Sequence, residues 1–264
     1  MMDVEVNSPS RVLDLEGGIN FRDLGGYQST NGQRVAWRKL LRCGHMANLT
    51  AADRQQLAEL GLAYVHDFRR EPEQEQFANQ LPPLTQYGDY QMTLGSMGQL
   101  TEMAAAGELT ANGARRLMDN LYRQAVKNVQ PSLSQFMQNV VAGDGAVLAF
   151  HCMAGKDRTG LAAAALLMAL DVGEQDIIED YLLTQTHGAT DLIISYVHDM
   201  MQAKDISGIS DDVIRPYCTV EESYIANFLD ELKLEYKTHR DYLLRGLLLQ
   251  ESDLSRLQSL YLEG

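Results

Sequence analysis

The sequence predicts an α/β fold with a largely helical C-terminal part, and three observations carry that expectation. A capped helical pattern over 51–60 passes through Gly61 straight into the apolar run Leu62-Ala63-Tyr64-Val65, which reads as a buried strand ending near Asp67. Farther along, the turn Gly143-Asp144-Gly145 introduces Ala146-Val147-Leu148-Ala149-Phe150, the most strand-like stretch in the chain, and a helix apolar on nearly every face follows over 158–170. Beyond residue 174 the pattern is helical to the end. Helix, buried strand and buried helix in close succession indicate a sheet covered by helices.

Taken in order, residues 12–30 read as short extended pieces between turns, because Gly17-Gly18 and Gly25-Gly26 bracket Ile19-Asn20-Phe21-Arg22-Asp23-Leu24. Thr50 is placed to cap the 51–60 helix, with Asp53 in its first turn and Gly61 as its stop. Pro72, Pro82 and Pro83 break the patterning over 71–110, which reads as a loop-rich insertion with one short helix around 100–106. Helical patterning returns over 111–128, and Pro131 suits the first turn of a further helix to about residue 141. After the buried helix, 174–185 and 191–203 read as helices. Thr219-Val220-Glu221-Glu222 has the form of a capping box opening a helix to about residue 236, and short helices near 240–249 and 253–262 close the chain. No repeat or linker interrupts the pattern. Residues 1–264 are therefore expected to form a single domain, with 219–264 as its helical C-terminal part.

Composition is that of an ordered globular protein: 45% of the 264 residues are hydrophobic, 22% are charged, and no tract is of low complexity. The formal charge of −14 argues against a nucleic-acid-binding surface and makes any anion site a local exception to the overall field. The three cysteines, Cys43, Cys152 and Cys218, are too few for a disulfide framework and lie in no metal-ligand spacing, so a reducing, cytoplasmic setting is the simplest expectation. A secreted form cloned without its leader would read the same. No window approaches the roughly 18 uninterrupted apolar residues of a membrane span.

One segment carries that electrostatic exception. His151-Cys152-Met153-Ala154-Gly155-Lys156-Asp157-Arg158-Thr159-Gly160 sits between the best strand and the most buried helix. The first amides of a helix lack internal partners, and the helix dipole favours negative charge at that end. A short loop wrapped onto such a start can aim several N–H groups at one phosphate. Gly155 lets the loop turn tightly, and the small Ala154 leaves room for the ligand. With five residues between them, Cys152 can face the phosphorus from the strand end while the Arg158 guanidinium grips two oxygens from the side. The same surroundings favour thiolate over thiol. Thr159 can donate its hydroxyl to the sulfur and help it leave in a second step. A cysteine ending a buried strand is ordinarily an inert small hydrophobe, but a core has no use for Lys156, Asp157 and Arg158 directly after that strand.

This decapeptide resembles the signature loop of the protein-tyrosine-phosphatase superfamily: HC, five residues, R, then S or T. Its AGKDRTG form is similar to that of the bacterial tyrosine and lipid phosphatases, which include secreted effectors of some pathogens. The stretch from Gly18 to Gly26 resembles that family's N-terminal NFRDLGG element. Leu41-Arg42-Cys43-Gly44-His45 stands in the place of its YRSG-like strand, with Cys43 for the usual Ser. Asp67-Phe68-Arg69 resembles its DLR, and 242–260 its closing pattern of leucines. The resemblance covers most of the chain outside 71–110. It implies a three-layer fold around a mostly parallel sheet. It also implies hydrolysis of a phosphomonoester through a phosphocysteine intermediate, with no metal or other cofactor. Cys152 would be the nucleophile, Arg158 the phosphate clamp, and the backbone of Met153, Ala154, Gly155, Lys156 and Asp157 the phosphate cradle. Phosphotyrosine proteins and phosphoinositide headgroups are the implied substrates.

The proton donor to the leaving group stays open at this level. Most of the superfamily takes it from an Asp in a WPD-type loop, whereas the single tryptophan, Trp37, lies in no such motif. Asp157 is the candidate by proximity, and Asp67 by its place at a strand end where α/β sites gather. Each has a plainer alternative: an ion pair with Arg69 or Arg70 for Asp67, and a brace with Lys156 or Arg22 for Asp157. Lys156 reads as a contact to a second phosphate or an inositol ring, or as a solvated lysine. Arg22 and Asp23 read as a buried pair bracing the loop, and His151 as a residue orienting it through hydrogen bonds. A rhodanese-like sulfurtransferase and an inactive phospho-ligand-binding module are the competing readings. The Arg158-Thr159 closure and the NFRDLGG-like element favour a phosphatase over the first, and the intact Cys152 and Arg158 over the second.

Overall fold

The computed structural model describes residues 9–95 and 97–264. Its strands are β1 (Arg22–Asp23), β2 (Arg34–Val35), β3 (Leu40–Cys43), β4 (Leu62–Asp67), β5 (Gln86–Asp89), β6 (Val147–His151) and β7 (Leu262–Glu263). Five of them form one sheet in the order β1-β3-β6-β4-β5, and β2 pairs with β7 apart from it. Only β1 runs antiparallel in the main sheet. Cys43 stands beside His151, and His151 beside Asp67. The carboxyl ends of β3, β6 and β4 therefore meet along one edge, the place where open α/β sheets bind ligands.

A central parallel strand is covered on both faces, so it must be apolar on both. In β6, Leu148 and Phe150 join the larger core, while Ala149 faces a smaller one with Leu41, Cys43 and Val65. The helices that precede β6 are α1 (Ala51–Glu59), α2 (Glu71–Gln76), α3 (Met97–Ala105), α4 (Ala111–Asn128) and α5 (Gln130–Ala142). After it come α6 (Asp157–Ala169), α7 (Glu174–Leu182), α8 (Thr184–His187), α9 (Thr190–Gln202), α10 (Asp211–Cys218) and α11 (Glu222–Tyr236). The tail closes with α12 (His239–Asp241), a π-helical turn over Tyr242–Gly246, and α13 (Glu251–Tyr261). Residues of α4, α5, α6 and α11 form the large core with one face of the sheet, and α1 packs on the other. Every residue of α6 from Thr159 to Ala169 is buried, as its alanines and leucines require. A third apolar cluster joins Leu100 and Ala104 of α3 to Ile194 and Val197 of α9 and Ile214 of α10. Among the described residues no helix is long and apolar enough to cross a membrane.

Three expectations need correction. The 71–110 segment holds more than one short helix, since besides α3 it supplies α2 and the edge strand β5. Pro72 lies in the first turn of α2, where its missing N–H has no helical partner to lose. The edge strand Gln86-Tyr87-Gly88-Asp89 carries no apolar alternation, because an edge exposed to water needs none. Helix α10 was not foreseen, for it contains Pro216. Thr219 does not cap α11, whose N-cap is Glu221, two residues inside the expected start.

His66 on β4 is buried and packs edge-on against Phe136, with ring centroids 5.2 Å apart. Burial, and after it the neighbouring His151, pushes its pKa down to about 4. The folded state therefore holds this imidazole neutral, while the unfolded chain takes up a proton below about pH 6.5. Its contribution to stability is complete above that value and is lost as pH falls from about 6.5 toward 4, on the order of 2 kcal/mol by about pH 5. The pKa values of His45 and His151 are lowered in the same direction. Urea midpoints should fall on acidification from pH 7 to 5, and His66→Phe, set among aromatic rings, should flatten the slope by about one proton. An unchanged slope would show that His66 is already protonated in the fold.

Candidate active site

Strand β6 delivers His151 to the carboxyl edge of the sheet; Cys152 follows, and α6 begins at Asp157. Lys156 occupies the N-cap of α6 and makes no side-chain cap, so the orphan amides of the helix start stay available. Among the described residues, none accepts a hydrogen bond from the backbone N–H groups of Met153 through Arg158. The carbonyls are held from outside instead. Met153 O accepts from His45 N at 2.9 Å, and Gly155 O accepts from Asn20 Nδ2 at 2.8 Å and from Arg42 Nη2 at 2.9 Å. Gly155 has φ +70°, and a Cβ there would lie 2.5 Å from the carbonyl carbon of Cys43, so only glycine fits. Amides without acceptors at a helix N-terminus make an anion cradle.

Arg158 rises from the first turn of α6. Its Nη1 and Nη2 donate to Oε2 and Oε1 of Glu73 at 2.8 and 2.7 Å, and Nη1 also donates to Phe68 O at 3.3 Å. That end-on fork uses one edge of the planar guanidinium and leaves the Nε–Nη2 edge to meet a second planar pair of oxygens. Burial works against the charge of Arg158, but the charge of Cys152 and the pair with Glu73 outweigh it and raise its pKa. Glu73 is the reciprocal case. Burial would raise its pKa, yet the hydrogen bonds and charge of Arg158 bring it down to about 2, so it is ionised at any working pH. Glu73 has an identifiable place because it is the third residue of α2, where it also accepts from Arg70 N at 2.9 Å. Replacing it with glutamine removes one acceptor and turns an NH₂ toward the guanidinium. We expect kcat/KM for nitrophenyl phosphate to fall about tenfold, or ~1.4 kcal/mol of transition-state stabilisation; an unchanged value would make the pair a fold contact only.

The two candidate carboxylates part company. Asp157 lines the cavity together with Cys152 and Arg158, in a space of about 370 Å³. It accepts from Tyr122 Oη at 2.7 Å and from Lys156 Nζ at 2.8 Å, and the Tyr122 hydroxyl is itself 2.7 Å from that of Tyr181. Asp67 does not line the cavity. It is fully buried and accepts from Arg69 Nη2 at 2.7 Å, Tyr87 Oη at 2.9 Å and Asn79 Nδ2 at 3.2 Å. Burial raises its pKa, but the adjacent His151 and, with it, the bonds and charge of Arg69 lower it on balance. Both carboxylates are thus ion-paired, Asp67 with Arg69 and Asp157 with Lys156, and what separates them is that Asp157 alone lines the cavity. The cavity walls add Met92, Leu94, Ile193, Val197 and Met200.

Other expectations shift. Arg22 and Asp23 are both buried but do not pair with each other. Arg22 Nε meets Asp180 at 3.3 Å, and Asp23 takes Arg38 Nη1 at 3.4 Å and the Arg38 amide at 2.7 Å. Neighbours along a strand point to opposite faces, which is why the adjacent pair cannot close. Lys156 is neither solvated nor turned to a second phosphate. It is 5% exposed and donates to the carbonyls of Tyr217 and Thr219 at 2.9 and 3.3 Å, at the C-terminus of α10. The Thr159 hydroxyl donates to the Cys43 carbonyl at 3.4 Å rather than to the Cys152 sulfur. His151 orients its surroundings through both ring nitrogens. Its pKa is lowered, chiefly by burial, so the ring is neutral. A carbonyl can only accept, so Nδ1–H donates to Cys152 O at 3.0 Å, and Nε2 accepts from Asn79 Nδ2 at 3.1 Å. Sequence reasoning missed Glu73, Asn79, Tyr122 and Asp180, none of which stands near the decapeptide. Asn20 and Arg42 stood inside the quoted elements without a role.

Residues 13–263 match the model of a family described as the tyrosine phosphatase family. A Cupriavidus necator protein named for tyrosine-protein phosphatase activity is 30% identical over 249 residues, 93% of this chain and 86% of that one. A tyrosine-protein phosphatase of Nostoc commune is 35% identical over 145 residues, 54% of this chain and 47% of that one. The triple specificity protein phosphatase PtpB of Mycobacterium tuberculosis is 24% identical over 226 residues, 77% of this chain and 79% of that one.

Proposed function

The chain belongs to the tyrosine phosphatase family, and from that premise we propose that it hydrolyses phosphotyrosine through a covalent phosphocysteine intermediate on Cys152. The observation that carries this reading is the run of backbone amides without acceptors between Cys152 and the open edge of Arg158, with both of those residues lining one cavity. A phosphoryl group seated on those amides presents its phosphorus to the sulfur. The thiolate attacks, an S–P bond forms, and the P–O bond to the leaving group breaks as Asp157 delivers its proton to the departing oxygen. Asp157, now a carboxylate, takes a proton from the water that attacks phosphorus; the S–P bond breaks and inorganic phosphate leaves. Arg158 and the amides offset the charge gathered on the equatorial oxygens in both steps. Nucleophile, clamp and acid all come from the chain, so EDTA should leave the rate unchanged.

The apolar walls suit a phenyl ring. Lys156 is engaged by carbonyls at the end of α10 and Arg70 by Glu73, so neither of these cations at the cavity is left unpaired for the further phosphates of an inositol headgroup. Phosphotyrosine is therefore the proposed substrate ahead of phosphoinositides. A phosphate-release panel of phosphotyrosine, phosphoserine and phosphothreonine peptides and phosphoinositides tests this, and a preference for the last would overturn it. Thiosulfate sulfurtransfer without phosphate release would favour the rhodanese-like alternative, and binding without turnover the inactive module.

The assignment of Asp157 has its own test. A general acid matters most when the leaving group is poor. Asp157→Asn should lower kcat for phosphotyrosine at least about tenfold more than for nitrophenyl phosphate. Asp67→Asn should leave the ratio of the two substrates unchanged, since that carboxylate is spent on Arg69 and Tyr87. A leaving-group-dependent loss in Asp67→Asn would reverse the two roles.

A further inference from the structure

We propose that Asn20 and Arg42 are positioning residues that hold the phosphate cradle in its receptive form by pinning the carbonyl of Gly155. The proposal rests on the reading of residues 152–158 as the phosphate site. In a trans peptide the C=O and the N–H point in opposite directions across one plane. Holding Gly155 O outward therefore aims the N–H of Lys156 inward. Two donors do the holding, Asn20 Nδ2 at 2.8 Å and Arg42 Nη2 at 2.9 Å, and both side chains are buried. The peptide has reason to flip without them. Gly155 lacks the Cβ that would restrict it, and a loop whose amides find no acceptor gains hydrogen bonds by turning them elsewhere.

Neither donor is left to choose its own orientation. Asn20 takes the left-handed conformation, φ +52°, which asparagine tolerates better than most residues. Its Oδ1 accepts from Arg22 Nη1, so its Nδ2 must be the group that faces Gly155. Arg22 is fixed in turn by Asp180 Oδ1 at 3.3 Å, by the Asp180 carbonyl at 2.9 Å and by Thr184 Oγ1 at 3.1 Å. The other carboxylate oxygen of Asp180 accepts from Arg42 Nη1. One aspartate from α7 thus orients both arginines, and both lead to the same carbonyl. Two buried guanidiniums against one carboxylate leave a surplus positive charge in the interior, a costly arrangement unless an anion lies close. The cluster lies beneath the loop where the anion is proposed to bind.

The test separates positioning from bulk stability. Asn20→Asp keeps the size and the acceptor for Arg22 but loses the donor to Gly155; Asn20→Ala loses the donor without adding charge. For both, the inhibition constant of inorganic phosphate and the KM for nitrophenyl phosphate should rise about tenfold, the scale of one lost hydrogen bond at a charged site. The ratio of phosphotyrosine to nitrophenyl turnover should hold, because Asp157 is untouched. Arg42→Lys, which keeps the charge but cannot reach Asp180 and Gly155 together, should give the same pattern if either Asn20 variant fails to fold. Weakening in Asn20→Asp alone would reduce the effect to added negative charge and overturn the proposal. So would folded variants whose melting temperatures fall while phosphate inhibition and KM stay within twofold of the parent. If the parent binds phosphate calorimetrically but releases none from any phosphomonoester, the proposed reaction fails, and the same comparison made on phosphate affinity still decides the role of Asn20 and Arg42.

Discussion

Replacing Cys152 with serine should remove turnover while leaving phosphate bound, a loss of at least about a thousandfold in kcat. A serine hydroxyl stays protonated where a thiolate would be the nucleophile, and His151, the neighbouring imidazole, is committed elsewhere. Its Nδ1 bonds the Cys152 carbonyl and its Nε2 meets Asn79, so it is not placed to take a hydroxyl proton. The anion cradle is made of backbone amides and Arg158, which the substitution does not touch. Calorimetry with inorganic phosphate should therefore give a dissociation constant within a few-fold of the parent. Residual catalysis above about one per cent in a clean preparation would remove Cys152 as nucleophile. Loss of phosphate binding together with turnover would mean that the sulfur, not the amide cradle, supplies the affinity.

Arg158→Lys should cost at least about 100-fold in kcat/KM, or roughly 2.7 kcal/mol of transition-state stabilisation, although the charge is kept. The geometry of the guanidinium explains the size of the effect. One edge is engaged by Glu73 at 2.7 and 2.8 Å, and the second edge is what a phosphoryl group would meet. An ammonium has no second edge. It can pair with Glu73 or turn toward the ligand, and in the acidic company of Glu73 it will favour the carboxylate. Steady-state kinetics with nitrophenyl phosphate measure the effect, and a loss smaller than about tenfold would put the clamp elsewhere. The double variant with Glu73→Gln should recover part of the lysine enzyme's activity, because it releases the ammonium from its competing partner.

Asp67 shows how far sequence alone could carry the site. Its position at a strand end made it a reasonable donor, and its alternative as a partner of Arg69 was equally legible. Arg69 lies two residues on, and residues at that spacing share a face of an extended chain. What could not be read was Tyr87, which closes the pocket around Asp67 from an edge strand with no apolar pattern. Lys156 and Thr159 misled for a related reason. Within the decapeptide both stand next to the chemistry, but Lys156 turns to carbonyls at the end of α10, and the Thr159 hydroxyl turns to the carbonyl of Cys43.

The features that sequence alone determined are those built from contiguous residues. Strand β6, the glycine turn and helix α6 follow one another, so the amides of the helix start, the Cys152 sulfur and the Arg158 side chain are brought together by local geometry, whatever the rest of the chain does. The helix over Ala111–Asn128 and its successor from Gln130 are legible for the same reason, since apolar period and a proline in the first turn are local signals. Tertiary structure alone decided which distant partner each charge would find. Glu73 meets Arg158 across 85 positions, and Asn20 meets Gly155 across 135. Asp180 joins Arg22 and Arg42 because the sheet order sets β1 next to β3, and α7 reaches both. Charge carries no directional pattern along a sequence. A buried ion must be paired, but its partner is whichever complementary group the packed layers bring within about 3 Å.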